Sequence, residues 1–298
     1  MKRILSILLV LLFSALLLKF PETASTAVRD GLSLCARTVV PSLFPFLAVT
    51  ALLLHLGLDS LLRPFFSPVM RPLFRLRGEC AAALLSGFLG GYPAGARSAA
   101  QLYEQGSISR REAERLLGFC NNCGPGFLIG FAGSGILGSA RAGAQLLAIH
   151  ILAALISGAI LCRLPGETDP LSLPCQLPAQ MISFPKALTA SVSAALASTL
   201  SICAYVVFFR TAAAFLPSTL PAALLGAVEM VSGIAALERN PAAFIAAAGI
   251  TAWGGLSVHC QTMAVTGELS LKYHTAGKFL QTIFSILFAA ITAQQVFR

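Results

Sequence analysis

Charged side chains are scarce in this sequence of 298 residues. Asp, Glu, Lys and Arg together make up 11% of the chain, whereas apolar residues make up 56%, and the mean hydropathy is +0.81. A soluble domain carries roughly 25% charged residues, so a globular protein of this composition could not cover its surface with polar groups. Several apolar runs are long enough to cross a bilayer, at about 17–25 residues each. The composition therefore predicts an all-α, polytopic transmembrane protein.

Tryptophan, tyrosine, paired metal ligands and catalytic motifs are also rare or missing. The chain has one Trp and four Tyr, in no pattern typical of base stacking. Its net charge of +9 therefore indicates basic cytoplasmic loops rather than nucleic acid binding. Cys120 and Cys123 form one CxxC without a second ligand pair, so we predict neither a metal site nor disulfides. No P-loop, nucleophile elbow or HExxH occurs, and we expect neither an enzyme nor a cofactor.

Hydrophobic runs divide the chain into four parts. Lys2 and Arg3 precede an apolar run over residues 4–20. We interpret this run as a retained transmembrane helix with a cytoplasmic N-terminus, in preference to a cleaved signal peptide. A Pro-rich stretch without helical pattern separates two similar halves. The predicted parts are an N-terminal transmembrane helix (1–26), a first repeat (27–163), a linker (164–184) and a second repeat (185–298).

Several apolar runs contain residues that break helices. Pro41 and Pro45 each remove a backbone donor, so we predict a helix break between them. GGYPAGA (90–96) interrupts another run whose flanks are both rich in Arg, which predicts a re-entrant hairpin with both ends in the cytoplasm. NNCGPG (121–126) interrupts the next run. In lipid, backbone freed by such breaks must face protein or a water-filled cavity.

The order of spans and breaks recurs in the second half. The Gly-Gly pair at 254–255 aligns with the pair at 90–91, although identity between the halves is weak. Equivalent spans run in opposite directions when one hairpin is counted, as an inverted repeat requires. Residues 59–115 carry eight Arg, whereas residues 215–278 carry three basic residues. We therefore predict that the first hairpin opens to the cytoplasm and the second to the outside.

Paired broken segments at corresponding positions predict the substrate site of a secondary transporter. Half-helix N-termini carry free N–H groups and partial positive charge, which suit an anion. The candidate substrate-binding residues all lie at or beside the breaks; they are Gly90, Gly91, Tyr92, Pro93, Arg97, Asn121, Asn122, Gly124, Ser257, His259 and Gln261.

Five candidates have alternative roles that the sequence leaves open. Asn121 and Asn122 are expected either to contact substrate or to satisfy backbone groups at the helix break. Arg97 is expected either to contact substrate or to anchor the hairpin end at the cytoplasmic interface. Glu229 lies within an apolar run and is expected either to couple transport to Na⁺ or H⁺ or to pair with an Arg such as Arg97. His259 is expected to line the pathway or to serve packing alone.

Four segments together resemble the YlbJ (SpoVV) family of sporulation integral membrane proteins. They are PSLFPFL (41–47), GGYPAGA (90–96), SISRREAERLL (107–117) and NNCGPGFLIG (121–130). The likeness is strongest over residues 30–135, and Cys123 stands where the family commonly has Pro. The resemblance implies Gate (nucleoside-recognition) domains, similar to parts of concentrative nucleoside transporters. It also implies export of dipicolinic acid from the mother cell toward the forespore.

These observations favour a secondary transporter of a small organic anion, with dipicolinate as the first candidate. A transporter of nucleosides or other small metabolites is the alternative within transport, and a membrane scaffold for spore envelope assembly is the alternative outside it. The expected location is the cell membrane, specifically the mother-cell-derived membrane around the forespore. The expected partners are the solute and the lipid bilayer, not nucleic acid. A homo-oligomer is left open.

Overall fold

The computed structural model describes residues 2–164, 183–217 and 219–296, and these residues form fourteen α-helices, two π-helical segments and no strand. The first half contains α1 (Lys2–Lys19), α2 (Pro21–Leu34), a first π segment (Cys35–Val39), α3 (Val40–His55), α4 (Leu58–Phe74), α5 (Cys80–Gly90), α6 (Ala94–Glu104), α7 (Arg110–Cys120), a second π segment (Gly126–Ile136) and α8 (Ala140–Leu161). The second half contains α9 (Phe184–Ala213), α10 (Ala222–Val228), α11 (Met230–Ala235), α12 (Pro241–Trp253), α13 (Gly255–Thr266) and α14 (Lys272–Val296). The predicted linker, residues 164–184, lies almost wholly outside the described residues.

Four stretches of the described chain are long and apolar enough to cross a membrane. They are α8, α9, α12 together with α13, and most of α14. Two further pairs, α1 with α2 and α3 with α4, pass the same test but are bent by 100° and 85°. Counting each bent pair as one span gives up to six. The predicted all-α, multi-pass membrane fold is therefore confirmed.

The predicted helix break between Pro41 and Pro45 is wrong. Helix α3 continues through Pro45, and Pro41 lies in the same unbroken helical run, directly after the first π segment. The chain widens into the first π segment directly before α3, and such insertions accommodate an irregular hydrogen-bond ladder. The sharp bend comes later, near Gly57, whose φ is +85°.

Helices α5 and α6 form the predicted first hairpin. They pack directly against each other, with Gly87 facing Gly95. The carbonyl oxygen of Cys120 reaches into the space where either glycine would carry a Cβ. The flanks of the hairpin also meet, because Arg77 Nε lies 3.2 Å from Glu112 Oε2 and its backbone N–H donates to the same carboxylate. Both Arg-rich flanks therefore lie on the same side of the bundle, as predicted.

Helices α10 and α11 form a second, shorter hairpin whose tip is Glu229. The loop after it places the Arg239 guanidinium against Gly138, just before α8 begins. At the other end of α8, Arg163 Nη1 donates to Leu73 O over 2.9 Å, beside the flanks of the first hairpin. Helix α8 has 22 residues, or about 33 Å at 1.5 Å per residue. The two hairpins thus open at opposite ends of α8, which is the arrangement an inverted repeat requires.

The two halves repeat one order of elements, but in a different register from the sequence alignment. Each half has a long helix (α3 or α9), a hairpin (α5–α6 or α10–α11), a broken span (α7 with the second π segment, or α12–α13) and a straight helix (α8 or α14). By this order the tip at 90–91 corresponds to Glu229, and the Gly-Gly pair at 254–255 corresponds to the NNCGPG break. The alignment of the two Gly-Gly pairs is therefore wrong. Glycine recurs because backbones approach closely at both kinds of break, not because the positions are equivalent.

Candidate functional site

Helices of the described bundle are interrupted at 90–92, at 123–126, at Glu229 and at Gly254. The first three breaks border one cavity, and so does α13, which follows the fourth. The volume of this cavity is about 130 Å³, smaller than the roughly 300–1,000 Å³ of typical small-molecule sites. The break at 90–92, the break at 123–126, the tip at Glu229 and the first turns of α13 form its polar wall. Apolar side chains from α2, the first π segment, α3, the second π segment and α9 complete the lining; they include Leu34, Val39, Leu43, Phe46, Phe127, Phe131, Ile202 and Val206.

The two breaks of the first half touch through their backbones. Gly91 has φ +79°, and a Cβ on it would lie 3.0 Å from the backbone nitrogen of Gly124. A residue other than glycine at position 91 would therefore be strained both by its backbone conformation and by this approach. The contact joins the tip of the first hairpin to the break in the span after α7.

The two breaks of the second half touch in the same way. Gly255 has φ +74°, and a Cβ on it would lie 2.9 Å from Gly226 O and 3.1 Å from Met230 N. The Glu229 carboxylate caps α11, accepting hydrogen bonds from Val231 N (3.1 Å) and Ser232 N (2.6 Å). Glu229 is 1% exposed and lines the cavity. Its described hydrogen bonds are to backbone N–H groups, and the alternative of a pair with Arg97 is not seen.

Seven of the predicted residues line this cavity. They are Gly90, Gly91, Tyr92, Gly124, Glu229, Ser257 and Gln261. Gln261 Nε2 donates to Ser257 Oγ over 3.1 Å, one turn earlier on α13. The described lining therefore offers a carboxylate, a hydroxyl, an amide and a phenol, and it contains no Lys or Arg.

Five predicted residues lie elsewhere: Pro93, Arg97, Asn121, Asn122 and His259. Arg97 points away and pairs with Glu104, with 3.6 Å between Nη1 and Oε1. The His259 ring packs between Trp253 and His274, at centroid distances of 4.5 and 5.0 Å. The sequence pattern fixes the position of these residues along the chain but not the side of the helix on which each side chain lies. It therefore could not show that these five side chains lie outside the cavity.

The two asparagines belong to a buried polar network behind the cavity wall. Asn121 Nδ2 donates to Thr262 Oγ1 over 2.8 Å, and Asn122 Nδ2 donates to the backbone oxygen of Phe119 over 2.7 Å. Gln281 on α14 donates to Asn122 Oδ1 over 3.0 Å. These bonds satisfy both ends of the Asn122 amide, whereas the buried Oδ1 of Asn121 has no hydrogen-bond partner among the described residues.

Sequence reasoning missed the centre of this network, Lys278. Its ammonium donates to Tyr92 Oη over 2.9 Å and to Gln281 Oε1 over 2.8 Å. Tyr92 in turn donates to Thr251 O over 2.9 Å, which joins the first hairpin to α12 and α14. The signal was present, because Lys278 and Gln281 lie three residues apart on one face of an apolar span. The charge count over residues 215–278 treats Lys278 as one of three basic loop residues instead.

Comparison with known proteins agrees with this architecture. The family model of Gate, described as nucleoside recognition, matches residues 36–296. The chain belongs to the Gate family. A stretch of 148 residues is 36% identical to the sporulation integral membrane protein YlbJ of Bacillus subtilis (strain 168), covering 50% of this chain and 36% of that protein. No solved structure matches the chain significantly.

These matches identify a multi-pass membrane protein of the nucleoside-transporter-like family, related to a sporulation protein. The resemblance found from the four sequence segments is thereby confirmed. The chain matches little more than a third of its relative's length, so the solute, the direction of movement and the particular membrane belong to the proposal below.

Proposed function

We propose that this protein is a secondary transporter that moves a small organic solute through the cavity between its helix breaks. The observation that carries the proposal is the meeting of breaks from both halves at one cavity, with hairpins that open at opposite ends of α8. Broken backbone at membrane depth is tolerated only where protein or water covers it. A scaffold would need neither the breaks nor the polar groups beside them.

The arrangement also supports alternating access. In transporters built from inverted repeats, the solute lies near the midplane and one half rocks against the other. Here each hairpin tip forms part of the wall, Gly91 from one end and Glu229 from the other. Movement of either hairpin would open the cavity toward its own side of the membrane.

The first solute to test is dipicolinate, which the family resemblance implies. A dicarboxylate beside the Glu229 carboxylate would be repelled unless a cation accompanied it, because like charges at close range disfavour each other. The proposal therefore includes coupling to Na⁺ or H⁺ at Glu229, in the mother-cell-derived membrane around the forespore.

A neutral nucleoside is the second candidate. The described lining contains Glu229, Ser257 and Gln261 but no basic side chain, a set that can hydrogen-bond to sugar hydroxyls and base edges without a counter-charge. The family description, nucleoside recognition, points the same way.

Transport by purified protein in liposomes separates these possibilities. Labelled dipicolinate and uridine are offered side by side, with a Na⁺ gradient, a proton gradient or neither. We expect gradient-dependent accumulation of one solute and at least a tenfold loss for Glu229→Gln, whose side chain retains an oxygen to cap α11. If neither solute accumulates under any gradient while the protein is folded, the transport proposal for these solutes fails and a scaffold is favoured.

A further inference from the structure

Lys278 is a fully buried lysine whose described hydrogen-bond partners are all uncharged. Its side chain is 0% exposed, it donates to a phenol and an amide, and its ammonium lies 4.7 Å from the centroid of the Tyr92 ring. No carboxylate forms an ion pair with it among the residues that the structure describes. A charge within a span is costly, so such residues are rare and mark function.

The groups that face Lys278 from neighbouring elements supply no fixed negative charge either. They are thiols and imidazoles from α7, the break after it, α8, α13 and α14, namely Cys120, Cys123, His150, His259 and His274. The field of the ammonium is therefore not cancelled locally. In an interior of low dielectric constant, such a field extends further than it would in water.

Lys278 is connected to the cavity through Tyr92, a residue that lines it. Tyr92 and Cys123 both line the cavity, while Lys278 bonds to the phenol from behind. The Tyr92 side chain therefore separates the ammonium from the cavity. Glu229 contributes the carboxylate of the same lining, and the Na⁺ or H⁺ proposed to bind there would leave the charge of Lys278 unopposed.

We propose that Lys278 is a specificity-determining residue, a cation set behind Tyr92 that makes the cavity favour solutes bearing carboxylate groups. This inference rests on the proposed transport function and names the charge class of its solute. Lys278 positions the wall through Tyr92 and acts on the solute through its charge; it does not itself line the cavity.

The natural thiol of Cys123 reports the potential at the wall. In purified full-length protein with the other seven Cys replaced, Cys123 is modified by a negatively and a positively charged methanethiosulfonate reagent of similar size. The ratio of the two rates isolates the local potential, because any change in thiol reactivity affects both. We expect the anionic reagent to react faster, and Lys278→Met to lower the ratio by about tenfold or more.

Lys272→Met is the matched control, since it removes an equal charge from the exposed start of the same helix and should leave the ratio unchanged. Lys278→Gln keeps hydrogen-bonding capacity toward Tyr92 and serves if Lys278→Met does not fold. A ratio that favours the cationic reagent in the unsubstituted protein, or that does not fall on loss of Lys278, overturns the proposal. If no Lys278 variant folds, the rate ratio measured in the protein that retains Lys278 is sufficient to test the proposal.

Protection of Cys123 by solute links the charge to selectivity. Dipicolinate should slow modification at a concentration at least tenfold below that of its neutral diamide, and Lys278→Met should remove this difference. Equal protection by the two compounds in the unsubstituted protein contradicts the inference while leaving transport intact. Failure of the liposome assay with the rate ratio still favouring anions would count against the transport function alone.

Discussion

The two hairpins occupy equivalent places in the two halves but are held in different ways. Most residues of α5 and α6 are buried, and the tip is tied to the bundle through Tyr92, Lys278 and Thr251. In α10, by contrast, the one buried residue is Gly226, and the tip at Glu229 is capped by its own helix. The second hairpin is also joined to the bundle, since Trp253 Nε1 donates to Ala227 O and Arg210 Nη1 to Ser232 Oγ, each over 3.3 Å, but less of it is buried. The second hairpin has fewer contacts to lose if it moves.

The opposite orientation of the hairpins gives the largest expected effect, because labelling is all or none. Single cysteines at Ser107, beside the first hairpin, and at Glu238, after the second, are treated with a membrane-impermeant thiol reagent in a cysteine-free background. Basic residues concentrate near the first hairpin, so we expect Ser107→Cys to react only from the cytoplasm and Glu238→Cys only from outside. Labelling of both from the same side would contradict the inverted arrangement.

The difference in packing between the two hairpins can be tested by measuring the stability of glycine variants. A methyl added by Gly95→Ala would collide with the Cys120 carbonyl oxygen, and overpacking of this kind typically costs about 1–3 kcal/mol. Gly233→Ala would also collide with backbone, that of Gly226 and Ala222, but we expect a smaller cost because α10 has one buried residue.

Gly130→Ala is the control, since nothing lies within 4 Å of its Cβ position. Thermal unfolding in detergent, followed by loss of folded protein, ranks the three variants. Equal destabilisation by Gly95→Ala and Gly233→Ala would mean that the two hairpins are held equally firmly.

The smallest effect is expected at Arg97. Its ion pair with Glu104 is partly exposed, with 32% of the Arg97 side chain accessible, and pairs of this kind contribute about 0–1 kcal/mol. Because the side chain does not line the cavity, Arg97→Gln should leave transport in liposomes unchanged. Loss of transport with normal folding would place Arg97 on the solute pathway after all.

The sequence by itself determined the membrane class, the helical architecture and three of the breaks, at 90–96, 121–126 and 254–255, but it missed the break at Glu229 and wrongly predicted one between Pro41 and Pro45. These follow from local chemistry: too few charges for a soluble surface, apolar runs of spanning length, and Gly, Pro and Asn where a helix cannot continue in lipid. Seven of the twelve predicted residues consequently reach the cavity. The family could be recognised partly for the same reason, since two of its four motifs, at 90–96 and 121–130, coincide with breaks.

Only the tertiary structure decided which breaks are equivalent and which side of each helix faces the cavity. The Gly-Gly alignment was wrong in register because glycine marks close approach in general, and approach depends on what packs opposite. Arg97 and His259 sit beside breaks but turn away. Lys278 lies 186 residues from Tyr92 along the chain, and sequence spacing carries no information about a contact that folding alone brings together.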